Sequence, residues 1–421
     1  MNIAVKTITF NHDTASASTS AMNIRRNKDF EVSIPEYDAE IPRTPADSCA
    51  AYAKLETTAQ NVFVRTVFTA SGGGNPHFEV QALGGGVLGA LDPQSIDFTG
   101  GATTKTVDFP LTHRNFAAIA RQDVTWQWQF REQGNPNWQS LVSTSHRIYV
   151  VLKVPPAPWT QTPADKRNPW TDLLDFSCVI ATGAQSAGDA AELITKKVHT
   201  GYSLRYDIQS GAPRYGFVLT GSSFQLTNWI NYVLKGNAPA TPIFCNTTAE
   251  QYKDFWIVNC YDCAASAALM AKLVGADSDY YFHSPFGYLN YVEPIGRWKC
   301  NNPFYQCQGG ATAAVGPDDA RTSFGNHAYQ KLGATKNYDA CMREWLSPLA
   351  KFLLILVWFI LLIISFGTIN AKNLLLRAGG WLIDLTQADY NTRTIDTDQP
   401  FEAAAASGGT QALQTLNFSV T

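Results

Sequence analysis

The most regular pattern along the chain is Val124-Thr-Trp126-Gln-Trp128-Gln-Phe130, in which every apolar side chain falls on one face and every polar one on the other. A period of two is that of a β-strand with one wet face. Turn residues follow in Glu132-Gln-Gly-Asn-Pro-Asn137, and Arg147-Ile-Tyr-Val-Val-Leu-Lys-Val154 predicts the returning strand. Asn61-Val-Phe-Val-Arg-Thr-Val-Phe-Thr69 has strand composition, and glycine triplets at 72–74 and 84–86 punctuate the middle. Short strands with frequent Gly/Pro turns predict an all-β, immunoglobulin-like sandwich over 29–154, after a loosely ordered lead-in over 1–28. Trp126 and Trp128 read as core, with an aromatic binding face as the alternative, which leaves the sandwich a candidate module for a protein partner.

Pro155-Pro-Ala-Pro-Trp159 ends this pattern and predicts a proline-rich linker over 155–169. Helical spacing then takes over. Trp170-Thr-Asp-Leu-Leu-Asp-Phe176 is apolar at helix intervals, and Ser186-Ala-Gly-Asp189 resembles a capping box ahead of Ala190–Val198. After Gly275 the chain turns β-like, in Asp279-Tyr-Tyr-Phe-His283 and Tyr288-Leu-Asn-Tyr-Val-Glu293. Helices first and strands after predict an α+β domain over 170–345. Phe352 to Ile369 is a run of 18 residues without a charge. That length is at the short edge of a bilayer span, and a helix with no wet face does not suit a globular surface. Residues 350–369 are therefore a candidate single membrane helix or membrane-embedded hairpin, with a buried apolar helix as the alternative. The polar residues 370–421 are expected to form a surface extension.

Composition adds bounds. A chain of 421 residues exceeds one ordinary domain, and 45% apolar with 12% aromatic residues fills cores and excludes disorder. A net charge of −3 without a block of like charge argues against nucleic acid as a partner. The N-terminus lacks an apolar run of secretory length, so the expected compartment is the reducing cytoplasm, with any membrane anchor leaving the catalytic domain on that side. The eight cysteines are then thiols, too sparse for a disulfide scaffold.

The candidate chemistry lies between Trp256 and Asp339. Cys260 opens the Ala-rich helical run Cys260-Tyr-Asp-Cys-Ala-Ala-Ser-Ala-Ala, where a helix N-terminus lowers a thiol pKa and offers backbone N–H groups to an oxyanion. His327 would take the thiol proton, and Asp339 would hold the imidazole tautomer. The 12 residues between them, with Gly333 to Asn337 as turn, fit a hairpin. The connector Phe286-Gly-Tyr-Leu-Asn-Tyr and Pro294-Ile-Gly-Arg297-Trp298 suggests cleft walls, so Trp256, Phe286, Arg297 and Trp298 are candidate substrate contacts. Trp229 or Trp256 could lend an indole N–H to the oxyanion, or simply be core. His283 reads as a surface histidine. Cys263 reads as packing, against the rival of a zinc site joining Cys260 and Cys263 to His327 or Cys341.

This ordered set resembles the transglutaminase-like branch of the papain-fold cysteine hydrolases, over about residues 185–342. Cys260-Tyr-Asp262-Cys-Ala264 stands where that family has Cys-x-Asp/Trp-x-Ala, Gly275 follows at its 15-residue spacing, His327-Ala-Tyr329 stands for His-Ala-Trp, and Tyr338-Asp339 for the late Asp. The His-to-Asp spacing is a little shorter than in the family. The resemblance implies a cysteine-dependent amide hydrolase of protease or peptidase type, acting on a protein or peptide through an acyl-enzyme, with no cofactor and no metal. The same triad would serve a transglutaminase or a glutamine deamidase. The non-catalytic alternative is a membrane-attached binding scaffold.

Overall fold

A computed structural model describes residues 2–57, 61–72, 76–100, 102–207, 211, 213–216, 223–237, 255–297, 299–301, 325–333, 335–364, 372–396, 412–415 and 419–421. The chain is a mixed α/β, multidomain protein that divides into two compact units. One comprises residues 1–187 with 272–276, the other 188–271 with 277–421.

In the first unit β1 (Asn2–Thr9), β2 (Tyr37–Asp38), β4 (Phe63–Ser71) and β7 (Thr104–Pro110) form one sheet in the order β2-β1-β4-β7. The second sheet runs β3-β9-β8-β5-β6, from β3 (Cys49–Ala53), β5 (His77–Gly84), β6 (Leu91–Asp97), β8 (Ala120–Glu132) and β9 (Gln139–Val151). One core joins both sheets, with Val5, Val64 and Phe68 from the first and Val80, Trp126 and Ile148 from the second. The expected alternation holds in β8, where Val124, Trp126 and Trp128 are buried while Thr125 and Gln127 face water. Both indoles satisfy their N–H groups inside, Trp126 on Gly89 O at 2.9 Å and Trp128 on Thr144 Oγ1 at 3.0 Å.

Three expectations are corrected here. The lead-in is not loose: its residues 2–9 are β1, with Ile3, Val5, Ile8 and Phe10 buried. The register shift between Val5 and Thr7 offsets the two apolar pairs, so the strand does not alternate cleanly in sequence. The proline-rich segment is packed rather than a free linker, with Trp159 and Trp170 buried in ring contact at 6.1 Å. The helix α1 (Thr171–Ile180) belongs to the first unit, where Asp175 accepts from Tyr149 Oη at 2.7 Å and from Arg147 at 3.1 Å.

The second unit is built on a five-stranded antiparallel sheet in the order β13-β12-β11-β10-β14, from β10 (Ser278–Ser284), β11 (His327–Leu332), β12 (Lys336–Tyr338), β13 (Ile383–Leu385) and β14 (Ala412–Thr415). Helix α2 (Ala187–Thr200) reaches β11 through Thr195, which accepts from Gln330 Nε2. Helix α3 (Cys260–Leu273) is buried on every face apart from the partly exposed Tyr261 and Lys272, as its run of small side chains permits. Gly275 ends it in the left-handed region at φ 83°, and a Cβ there would stand 2.5 Å from Lys153 N.

The described residues of the tail are not a surface extension. Beyond the apolar run the chain returns to supply α5 (Lys372–Ala378), the edge strand β13, α6 (Gln387–Thr394) and β14 on the other flank of the same sheet. The apolar run itself forms α4 (Pro348–Ile364). Among the described residues no helix is long and apolar enough to cross a membrane, so the single membrane helix gains no support. The alternative of a buried helix also fails, because Phe352 and Phe359 are 60% and 52% exposed. Residues 365–369 of the run lie outside the described ones.

Candidate active site

The start of α3 is fixed by a reciprocal cap. Asp262 N donates to Asn259 Oδ1 at 3.1 Å, and Asn259 N donates to Asp262 Oδ2 at 3.3 Å. Cys260 is thereby the first helical residue, where backbone N–H groups have no intrahelical acceptor and the helix dipole is positive. It is 4% exposed. The Asp262 carboxylate also accepts from the N–H groups of Arg214 (2.8 Å), Tyr215 (2.8 Å) and Gly216 (2.9 Å). Burial pushes this carboxyl up to about 6, against the downward pull of those donors. Asp262 matches a motif position, yet its work, tying residues 214–216 to the helix start, was not legible there.

His327 opens β11, and Asp339 directly follows β12. The register Gln330↔Tyr338 sets Asp339 opposite Tyr329, so His327 lies diagonal to it on the same face. Nε2 of His327 meets Asp339 Oδ2 at 2.9 Å, with both side chains buried. Burial alone would lower the imidazole pKa. The charge and hydrogen bond of Asp339, and then those of Cys260, outweigh it and raise the pKa to about 10. Asp339 is itself held by Cys341 N at 2.7 Å, Met342 N at 3.1 Å and Tyr390 Oη at 2.7 Å.

Sequence reasoning missed Tyr390. It stands on α6, 51 residues beyond Asp339, and no local pattern marks it. From the same helix Gln387 Nε2 donates to Tyr329 Oη at 3.0 Å. Tyr206 was missed too; its buried hydroxyl lies within electrostatic reach of Cys260, whose charge adds to burial in raising its pKa.

The remaining candidates distribute as follows. Phe286 is brought to the site but as a buried wall, its ring 5.0 Å from that of His327 and 4.9 Å from that of His283. His283 is no surface histidine: it is buried and pairs across from His327 in register. Arg297 is half-buried and donates to Tyr206 O at 3.2 and 2.9 Å, which makes it a backbone brace. Trp256 is half-buried against Phe255 at 4.3 Å, and Trp298 lies outside the described residues. Trp229 is buried against Tyr215 at 5.0 Å.

Cys263 and Cys341 are buried and hydrogen-bond each other, and burial raises both pKa values, which keeps them protonated and inert. Among the described residues no group of three His, Cys, Asp or Glu side chains is placed to hold a metal ion. A cavity of about 330 Å³, lined by Lys336, Arg377, Trp381, Asp384 and Arg393, includes none of Cys260, His327 and Asp339. Compared with protein-family models and with curated proteins, the chain matches none.

Proposed function

We propose that the chain is a cysteine-dependent amide hydrolase of protease or peptidase type, acting through Cys260, His327 and Asp339. The observation that carries this reading is the buried bond from His327 Nε2 to Asp339 at 2.9 Å, with Cys260, at a helix start, within electrostatic reach of the same imidazole. In this reading His327 takes the proton of Cys260. The thiolate attacks the carbonyl carbon of a protein or peptide amide, and the developing oxyanion is met by backbone N–H groups at the start of α3. The His327 proton passes to the leaving amine. Water, deprotonated by His327, then attacks the acyl-enzyme and frees the thiol. In this reading the second unit is a transglutaminase-like domain of the papain-fold class and the first an immunoglobulin-like sandwich; the chain order of helix, His strand and late Asp supports it. The chemistry asks for no metal or cofactor.

The test is site-mapped alkylation. Iodoacetamide at neutral pH should label Cys260 first, and His327→Ala should abolish that preference. Peptide hydrolysis should vanish in Cys260→Ala and survive in Cys263→Ala. Even labelling of all accessible thiols in the wild type would end the proposal.

A further inference from the structure

We propose that α4 is seated in one leaflet of a lipid membrane as a looped-out insertion of the second unit, entering and leaving on the same side. Two independent observations carry this. The first is topological. The strands on either side of the apolar segment belong to one sheet: Tyr338 of β12 pairs with Ile383 of β13, and Tyr281 of β10 pairs with Thr415 of β14. The bond from Tyr390 to Asp339 also joins residues on either side of that segment. A single crossing would put these partners on opposite sides of the bilayer, so the chain up to Tyr338 and the chain from Ile383 onward must stay on one side. Its 17 described helical residues extend about 25 Å at 1.5 Å each, less than a hydrocarbon core of about 30 Å.

The second is the distribution of exposed side chains. Successive residues of a helix stand about 100° apart. On that wheel Phe352, Leu353, Ile355, Leu356, Val357 and Phe359, all exposed, spread over an arc of roughly 200°. A partner helix or a protein groove covers a stripe about half as wide, whereas acyl chains cover an open arc without a matched surface. No charged residue interrupts the sequence from Phe352 to Ala371. Lys351, paired with Glu293, and Lys372, paired with Asp189 and Glu192, bracket it, while Arg377 and Leu375 on α5 are exposed. Cations at the ends of an apolar segment suit a headgroup layer.

Flotation of the full chain with phosphatidylcholine vesicles, with and without phosphatidylglycerol, tests the idea. The wild-type protein should float with both, more strongly with the anionic lipid, and resist release by high salt. Leu353→Glu/Val357→Glu, at exposed positions, should lower the bound fraction at least tenfold while its thermal melt matches wild type. Two outcomes overturn the proposal: wild-type protein that stays with the unbound fraction, or a double variant that floats as well. A dimer that the double variant dissociates, with no flotation, would assign the surface to a second copy instead.

Discussion

Tyr390 Oη donates to Asp339 Oδ2 at 2.7 Å, on the same oxygen that meets His327 Nε2 at 2.9 Å. A phenol thus holds the carboxylate that orients the imidazole, from a helix that follows the apolar segment. Hydrogen bonds to a charged group contribute about 1.5–3 kcal/mol. Tyr390→Phe keeps the ring and removes only the donor. If half of that bond serves positioning, alkylation of Cys260 at neutral pH falls roughly three- to twelvefold, at about 1.4 kcal/mol per tenfold. Circular dichroism should match wild type. An unchanged alkylation rate would remove Tyr390 from the site.

His327 carries a pH signature. Its folded pKa, raised to about 10, lies above the ordinary 6.5. The pair it makes with Asp339 therefore stabilises the fold fully below 6.5 and loses that effect as pH rises through about 10. Ring signals of His327 in NMR should not titrate near 6.5, and the stability gap between wild type and His327→Gln should close as pH approaches about 10. A ring that titrates at the ordinary value would refute the ion pair.

Asp262→Ala removes one acceptor from four backbone N–H groups. Each buried donor left without a partner costs about 1–3 kcal/mol. Relaxation spares some of them, so denaturant titration should show a loss of about 3–5 kcal/mol. Selective labelling of Cys260 should be lost with it. Asp262→Asn should recover only part, since an amide nitrogen would face some of the donors.

Gly275→Ala meets two obstacles, a φ of 83° and a Cβ 2.5 Å from Lys153 N. The left-handed conformation alone costs a non-glycine residue about 1–2 kcal/mol, and the close approach adds to it. A thermal melt should fall by several degrees. A melt equal to wild type would mean that the backbone shifts without cost.

The sequence by itself determined what depends on near neighbours. The two-residue period of β8 buried Val124, Trp126 and Trp128, and the alanines after Cys260 made a helix fit for a core. His327 fell on one strand of a hairpin and Asp339 just past the other because a 12-residue spacing with Gly333 permits it. Tertiary structure decided what depends on chain ends meeting at long range. The first strand showed itself only through its pairing with β4 across a register shift. Tyr390 reached Asp339 only because β13 returns to the sheet edge beside β12. Those contacts leave no period in the sequence, since a hydrogen bond between residues 51 apart is set by sheet order and not by spacing. The same return of the chain set an apolar run that reads as a bilayer span between strands of one sheet.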